Sequence, residues 1–496
     1  MAQRIYGLKK FFSHLSWLMV LNLLIKPTYL LLVDAKIQDV LGPEVWGRYF
    51  PLVSLGILLN IFLDMGLSSH MTRLLSQEPH EIKGAFIKGW KSKIGLIPLY
   101  LIVLMAMGWA LGYSSNSLKW LFWIGCNQAL LSGILYARSG LQALGAHVAD
   151  AWISITDRFL LLVGMGVLLL NFDSFQVEWL LVGTSGALGI ALLTGLWRLK
   201  KHTRLDLVSR ADETKHSTRS ILRASWPYAL LFLLMMTYHR IDAIMLERWA
   251  PNGETQAGWY AMGYRLFEAA NMIGFLFATL LLPYFTRMLK AKEDVRPLAI
   301  TVSRLLWVGG SSVAWVSFMF PDALLSVFYS THTQAAAPAF SWLMLSFAIF
   351  AQGYVFSTLL TARGDIHLLN RLAFAGAAAN IVLNGLWLSQ ATALNAGWGC
   401  ALISAGTQLL VVGLQMGFVF RFHPGKSWWT IGKTAGLHLI LAGTICWAFS
   451  RWADANQMTA VASLVSCLLL GLIPGVINQR GLRALLTDKM NTFADS

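Results

Sequence analysis

The chain has 496 residues, of which 56% are hydrophobic and only 13% charged, with 21 Trp and a mean hydropathy of +0.58. A soluble globular protein carries about 25% charged residues, so the composition excludes a soluble enzyme or binding module. The net charge of +15 is spread over many short connections, which disfavours nucleic-acid binding and fits topology and attraction to anionic lipid heads.

Apolar runs of about 20 residues recur along the whole length, whereas the alternating ten-residue segments of a membrane β-barrel are absent. The fold class is therefore an all-α polytopic membrane protein with about 14 transmembrane helices. The N-terminus, MAQRIYGLKKFFSHLSWLMVLNLL, begins like a signal peptide. No small-x-small cleavage site follows and Lys26-Pro27 interrupts the run, so it is read as a retained first span. Span centres then fall near residues 23, 56, 100, 130, 162, 188, 236, 270, 311, 348, 380, 408, 440 and 468.

Basic residues test this arrangement. With a cytoplasmic N-terminus, the inside segments are 1–16, 70–93, 138–150, 198–223, 287–304, 363–371, 421–433 and 480–489. They carry 30 of the 39 Lys and Arg. Outside connections hold Lys36, Arg48, Lys119, Arg248 and Arg451, and Lys26, Arg158, Arg240 and Arg265 remain within spans. The asymmetry supports both an even count and cytoplasmic termini. The densest basic run, Arg198 to Arg223, reads as a linker between two six-helix halves. The expected domains are residues 1–205, 206–425 and a terminal pair of spans with the tail in 426–496.

The halves share a faint repeat. VDAKIQDVLGPEVWGRYFPL and RIDAIMLERWAPNGETQAGWYAMGYRL align Asp34 with Asp242 and the Gly47–Tyr49 region with Gly258–Tyr260. The fifth span of each half adds Arg158 and Arg371 near its inner end. The four cysteines stand singly without metal or redox spacing and read as small buried hydrophobes.

The charges within spans carry the functional argument. A charge at a helix centre costs roughly 2.5–3.5 kcal/mol on insertion scales, so Lys26 and Asp34 require a wet cavity, a partner or a snorkelling route. Lys26 lies roughly 20 Å into its helix and has no acid three or four residues away. Arg240 and Asp242 are two apart and point to different faces. Arg265 and Glu268 are spaced i,i+3 and are placed to pair. Arg158 is expected at the inner rim. Unpaired deep cations are tolerable around a hydrated cavity, which favours an anionic guest such as phosphate. Pro27 implies a kink in the first helix.

At these residues the sequence resembles a polysaccharide flippase of the O-antigen, Wzx-like type, in the multidrug/oligosaccharidyl-lipid/polysaccharide exporter superfamily. The resembling stretches are LIKPTYLLL, LGPEVWGRYF and FLDMGL, then HRIDAIMLERW, AGWYAMGYRLFEA and LLPYFTRML, in order. The resemblance implies two six-helix lobes in a V plus two C-terminal helices. It also implies alternating-access transfer of an undecaprenyl-diphosphate-linked oligosaccharide across the bacterial inner membrane. It places Lys26, Arg48, Arg240 and Arg265 toward the substrate, with Trp46, Tyr49, Trp259, Tyr260 and Tyr264 as stacking surfaces for sugars. Membrane lipids and glycan-polymerising machinery are the implied partners.

No cofactor, metal or catalytic residue is expected, and without a P-loop pattern ATP is not the direct drive. Coupling to H+ or Na+ would use Asp34, His239, Asp242 or Glu268. The competing readings are a drug/cation antiporter of the same superfamily, which should concentrate acids, and a membrane glycan polymerase or glycosyltransferase, which should carry a sizeable loop.

Overall fold

The computed structural model describes residues 22–67, 82–144, 146–172, 174–203 and 218–471. These residues are 88% helical and include no strand, as hydrocarbon requires of a chain that must satisfy its own backbone. The first rod is helical over residues 22–41 (α1) and 43–58 (α2), broken at Gly42, whose φ of 76° suits glycine. Pro43 follows the break and opens α2 without losing a needed N–H. Within α1, Tyr29–Asp34 is a π-helical turn directly after Lys26-Pro27, so the proline perturbs the ladder as expected.

The next helices are α3 (Ile82–Ala110), α4 (Ser115–Ala143), α5 (His147–Asn171), α6 (Val177–Thr203) and α7 (Thr218–Trp249). They are followed by α8 (Gly253–Lys290), α9 (Arg296–Met319), α10 (Thr333–Arg363) and α11 (Ile366–Leu388). The last three are α12 (Ala396–Phe422), α13 (Trp429–Trp452) and α14 (Gln457–Leu470). Every predicted span centre lies in one of these helices. Of the described helices, 10 are long and apolar enough to cross a membrane, namely α3 and α5 to α13. The first and second helices are separated by Gly42, α4 is more polar, and α14 has 14 residues. The chain is a multi-pass helical membrane protein.

Several basic segments expected in connections run into the helices. Lys88, Lys91 and Lys93 belong to α3, and Arg138 belongs to α4. The basic run expected as a linker lies mostly outside the described residues, as do residues 1–21 and the tail after 471.

The chain divides into two compact units, Met1–Ile244 and Met245–Ser496, with the boundary inside α7. In the first unit α4 is the hub, packing on α2, α3, α5 and α6. Its polar seams are specific: the Tyr136 hydroxyl donates to the Phe86 carbonyl at 3.0 Å, and Asn127 Nδ2 donates to the Leu181 carbonyl at 3.2 Å. Lys93 is buried, ion-paired to Asp64 at the end of the short helix Ile61–Asp64, and sits over the Tyr136 ring.

In the second unit α10 is the hub, its most apolar stretch largely buried against α8, α9 and α12. Small residues permit this. A Cβ on Gly310 would lie 2.9 Å from Ala348 Cα, so α9 and α10 meet backbone to backbone. Ser303 donates to Gln352 across the same seam. A buried imidazole fastens the terminal helices to α9. His438 Nε2–H donates to the Cys467 carbonyl at 3.2 Å, and Nδ1 lies 2.9 Å from the Ser311 hydroxyl, which itself donates to the Trp307 carbonyl at 2.6 Å. Large apolar side chains such as Ile102, Leu170, Leu193 and Ile440 are exposed on helix surfaces, as lipid-facing residues should be.

Two outcomes follow for stability. Gly310→Val is expected to lower the unfolding temperature in detergent through overpacking of about 1–3 kcal/mol. Asp64→Ala strands Lys93 without its acid and should cost about 3–5 kcal/mol, while Asp64→Leu/Lys93→Met recovers most of that loss.

Candidate functional site

Three helices of the first unit bring charge together: α1, α4 and α5. The π-helical turn of α1 packs against α5, and this positions Lys26 just before it. The partly buried Lys26 Nζ donates to Ser154 Oγ at 3.0 Å. Ser154 in turn donates to Asn22 Oδ1 at 2.9 Å. Ser154 and Asn22 are neutral, and no carboxylate among the described residues lies at ion-pair distance from Lys26.

The surrounding ions are Arg138, Asp150, Asp157 and Arg158, all electrostatically coupled to Lys26. They are largely matched. Arg138 Nε pairs with Asp150 Oδ1 at 2.6 Å, and Gln142 donates to the other oxygen at 3.0 Å. Arg158 Nε is 3.4 Å from Asp157 Oδ2, and its guanidinium lies 5.4 Å from the centre of the Tyr29 ring. The Tyr29 hydroxyl donates to the buried Asp34 at 3.5 Å. Once Arg138–Asp150 and Arg158–Asp157 are set aside, Lys26 is the cation of this group that lacks an acid. A phosphate oxygen approaching Nζ meets a charge that the protein has not already neutralised.

Sequence reasoning found Lys26 and Asp34 but not this setting. Arg158, expected at the inner rim, sits eleven residues into α5, about 16 Å along its axis. The helix begins earlier than its apolar run suggests because Asp150 and Asp157 find arginine partners. Arg138, expected in a connection, lies within α4 and pairs with Asp150 of α5. Their signal was present as RSGLQALGAHVADAWISITDR, where acids and bases alternate at the edge of two apolar runs.

The remaining expected site residues are distributed as follows. Arg48 is exposed on α2. On α7, Arg240 and His239 are partly buried, the His239 ring is 4.8 Å from Tyr238, and Asp242 is buried. All four belong to the first unit. Arg265 belongs to the second unit, where its Nη1 pairs with Glu268 Oε2 at 2.9 Å on α8, as the i,i+3 spacing foretells. The buried ring of Tyr260 stacks with Tyr264 at 6.0 Å on the same helix, and Trp46 lies 5.2 Å from Tyr49 on α2. Among the described residues there is no group of three His, Cys, Asp or Glu that could hold a metal ion.

Comparison with known proteins matches this architecture. The solved structure of the lipid II flippase MurJ in an inward closed conformation superposes with a TM-score of 0.67 at 13% identity, covering 92% of this chain and 97% of that one. An inward-facing multidrug resistance MATE family transporter of the MOP superfamily gives 0.62 at 13% identity, over 81% and 96% of the two chains. A MOP superfamily transporter from Pyrococcus furiosus, described as having a binding pocket of reverse polarity, gives 0.60 at 14% identity, over 83% and 95%. At these identities the likeness establishes the fold. No curated protein sequence matches significantly. The model of the family described as "Polysaccharide biosynthesis protein" matches residues 14–289, more than half the length, and the chain belongs to that family.

Proposed function

We propose that this protein is a flippase moving a polyprenyl-diphosphate-linked oligosaccharide from the cytoplasmic to the outer leaflet of a bacterial inner membrane by alternating access. The observation that carries this reading is Lys26, a half-buried ammonium that donates to Ser154, itself held by Asn22, without a carboxylate. Keeping such a cation within a span costs folding free energy that an arriving diphosphate would return. Membership of a polysaccharide biosynthesis family and a fold shared with a lipid II flippase support a lipid-linked glycan as cargo.

In this reading Lys26 receives the diphosphate, with Arg158, stacked on Tyr29, as a further cation nearby. Arg240 and Arg48 serve the same anion along its route. Arg265 takes part by exchange: phosphate displaces Glu268 from the guanidinium, and the released carboxylate becomes free to carry a proton or Na+. Asp34, His239 and Asp242 are the other candidates for ion coupling. The membrane potential also helps, since moving one negative charge outward across an inside-negative membrane gains about 2.3 kcal/mol per 100 mV.

Two measurements bear on the assignment. In proteoliposomes, Lys26→Ala should abolish transfer of the lipid-linked oligosaccharide, and full transfer by Lys26→Ala/Arg265→Ala would overturn the site. Because Lys26 has no acid to strand, Lys26→Met should leave the unfolding temperature unchanged or raise it, by at most roughly 2.5–3.5 kcal/mol of stability. A marked fall would assign Lys26 a structural role.

A further inference from the structure

A second under-neutralised cation lies far from the first in sequence. Four arginines described in the second unit are partly buried: Arg248, Arg265, Arg296 and Arg304. Arg248 pairs with Glu247, Arg265 with Glu268, and Arg296 with Asp294 at 2.8 Å. The last pairing holds the Asp294 carboxyl below the usual carboxylate range. Arg304 has no such partner among the described residues. Its Nη2 donates to the Thr430 carbonyl at 3.3 Å, and its Nε is enclosed without an acceptor.

The place of Arg304 narrows what completes it. It stands eight residues into α9, about 12 Å along the helix, within snorkelling reach of the helix end. That end is where the connections meet: Arg296 Nη1 donates to the Pro424 carbonyl at 2.9 Å, and the Arg363 guanidinium lies 4.0 Å from the Phe422 ring centre. Trp429, at the start of α13, is 75% exposed, the position an indole takes at the headgroup level of a bilayer. Lys433 is exposed one turn beyond Thr430 on α13. Arg304 and Lys433 thus flank one stretch of α13 at interfacial depth, with no acid between them.

We propose that this junction of α9 and α13 binds an anionic phospholipid, its phosphodiester on Arg304 and its remaining negative charge toward Lys433. The acyl chains would lie against the apolar faces of α9 and α13, where a free anion has nothing to contact. The occupant is a structural lipid of the leaflet, distinct from the transported cargo, and the assignment does not depend on the transport reading.

The test uses the full-length protein in nanodiscs of phosphatidylglycerol with phosphatidylcholine, scored by native mass spectrometry for retained lipid. Wild type should retain phosphatidylglycerol selectively. Arg304→Gln, which keeps a donor for the Thr430 carbonyl, should weaken retention about fivefold, and Arg304→Gln/Lys433→Gln roughly thirtyfold. Inorganic phosphate should not displace the lipid. Unfolding temperatures of the variants in phosphatidylcholine alone report whether they fold, and Lys433→Gln alone supplies a second measure if Arg304→Gln does not. Equal retention by wild type and the variants, equal retention of the zwitterionic lipid, or displacement by inorganic phosphate would each overturn the proposal.

Discussion

Inside hydrocarbon there is no water to receive a charge or a backbone N–H, and the whole structure answers to that constraint. Its consequence is a strict internal matching of ions. Lys93 meets Asp64, Arg138 meets Asp150, Arg248 meets Glu247 and Arg265 meets Glu268. Against that background a cation left without a carboxylate carries information. Lys26 and Arg304 are two such cations, and their surroundings differ. Lys26 donates to the Ser154 hydroxyl of α5, itself held by Asn22 of α1, whereas Arg304 leans on a single carbonyl beside an exposed indole.

Much of this was legible in the sequence. Helix centres followed from apolar runs because a span needs about 20 such residues, and no packing detail alters that requirement. The Arg265–Glu268 pair followed from helical spacing alone. What stayed hidden depends on contacts between helices. Lys93 and Arg138 look like loop cations until Asp64 and Asp150, from other helices, neutralise them. Ser154 shows no sign in the sequence that it will meet Lys26, 128 residues away. A disturbed helical ladder after Pro27 was readable, but the π-helical turn over Tyr29–Asp34 and the break at Gly42 were not.

The two units also share an organisation that the short aligned stretches only hinted at. In each, the fourth helix of the half is the hub, α4 in one and α10 in the other. The buried acids Asp34 and Asp242 occupy matching places in the aligned stretches. Arg158 and Arg371 fit the duplication less well. Arg158 lies mid-helix, whereas Arg371 is exposed five residues after the start of α11. Divergence of this kind is expected where one copy has recruited its arginine into an ion cluster and the other has left it at the surface.

The fastening of α13 and α14 bears on how such a pair could be gained or lost. Lipid tails are as apolar as Val316 or Phe320, so detaching the last two helices would cost little in hydrophobic terms. Selectivity for the correct seat falls instead on a few polar contacts: His438 spanning Ser311 and the Cys467 carbonyl, Arg304 donating to the Thr430 carbonyl, and Gln457 donating to Ser326 Oγ. The terminal helices therefore behave as a module on a handful of polar pins, and an ancestor lacking them would have needed few changes, at positions such as 304 and 311, to remain well folded.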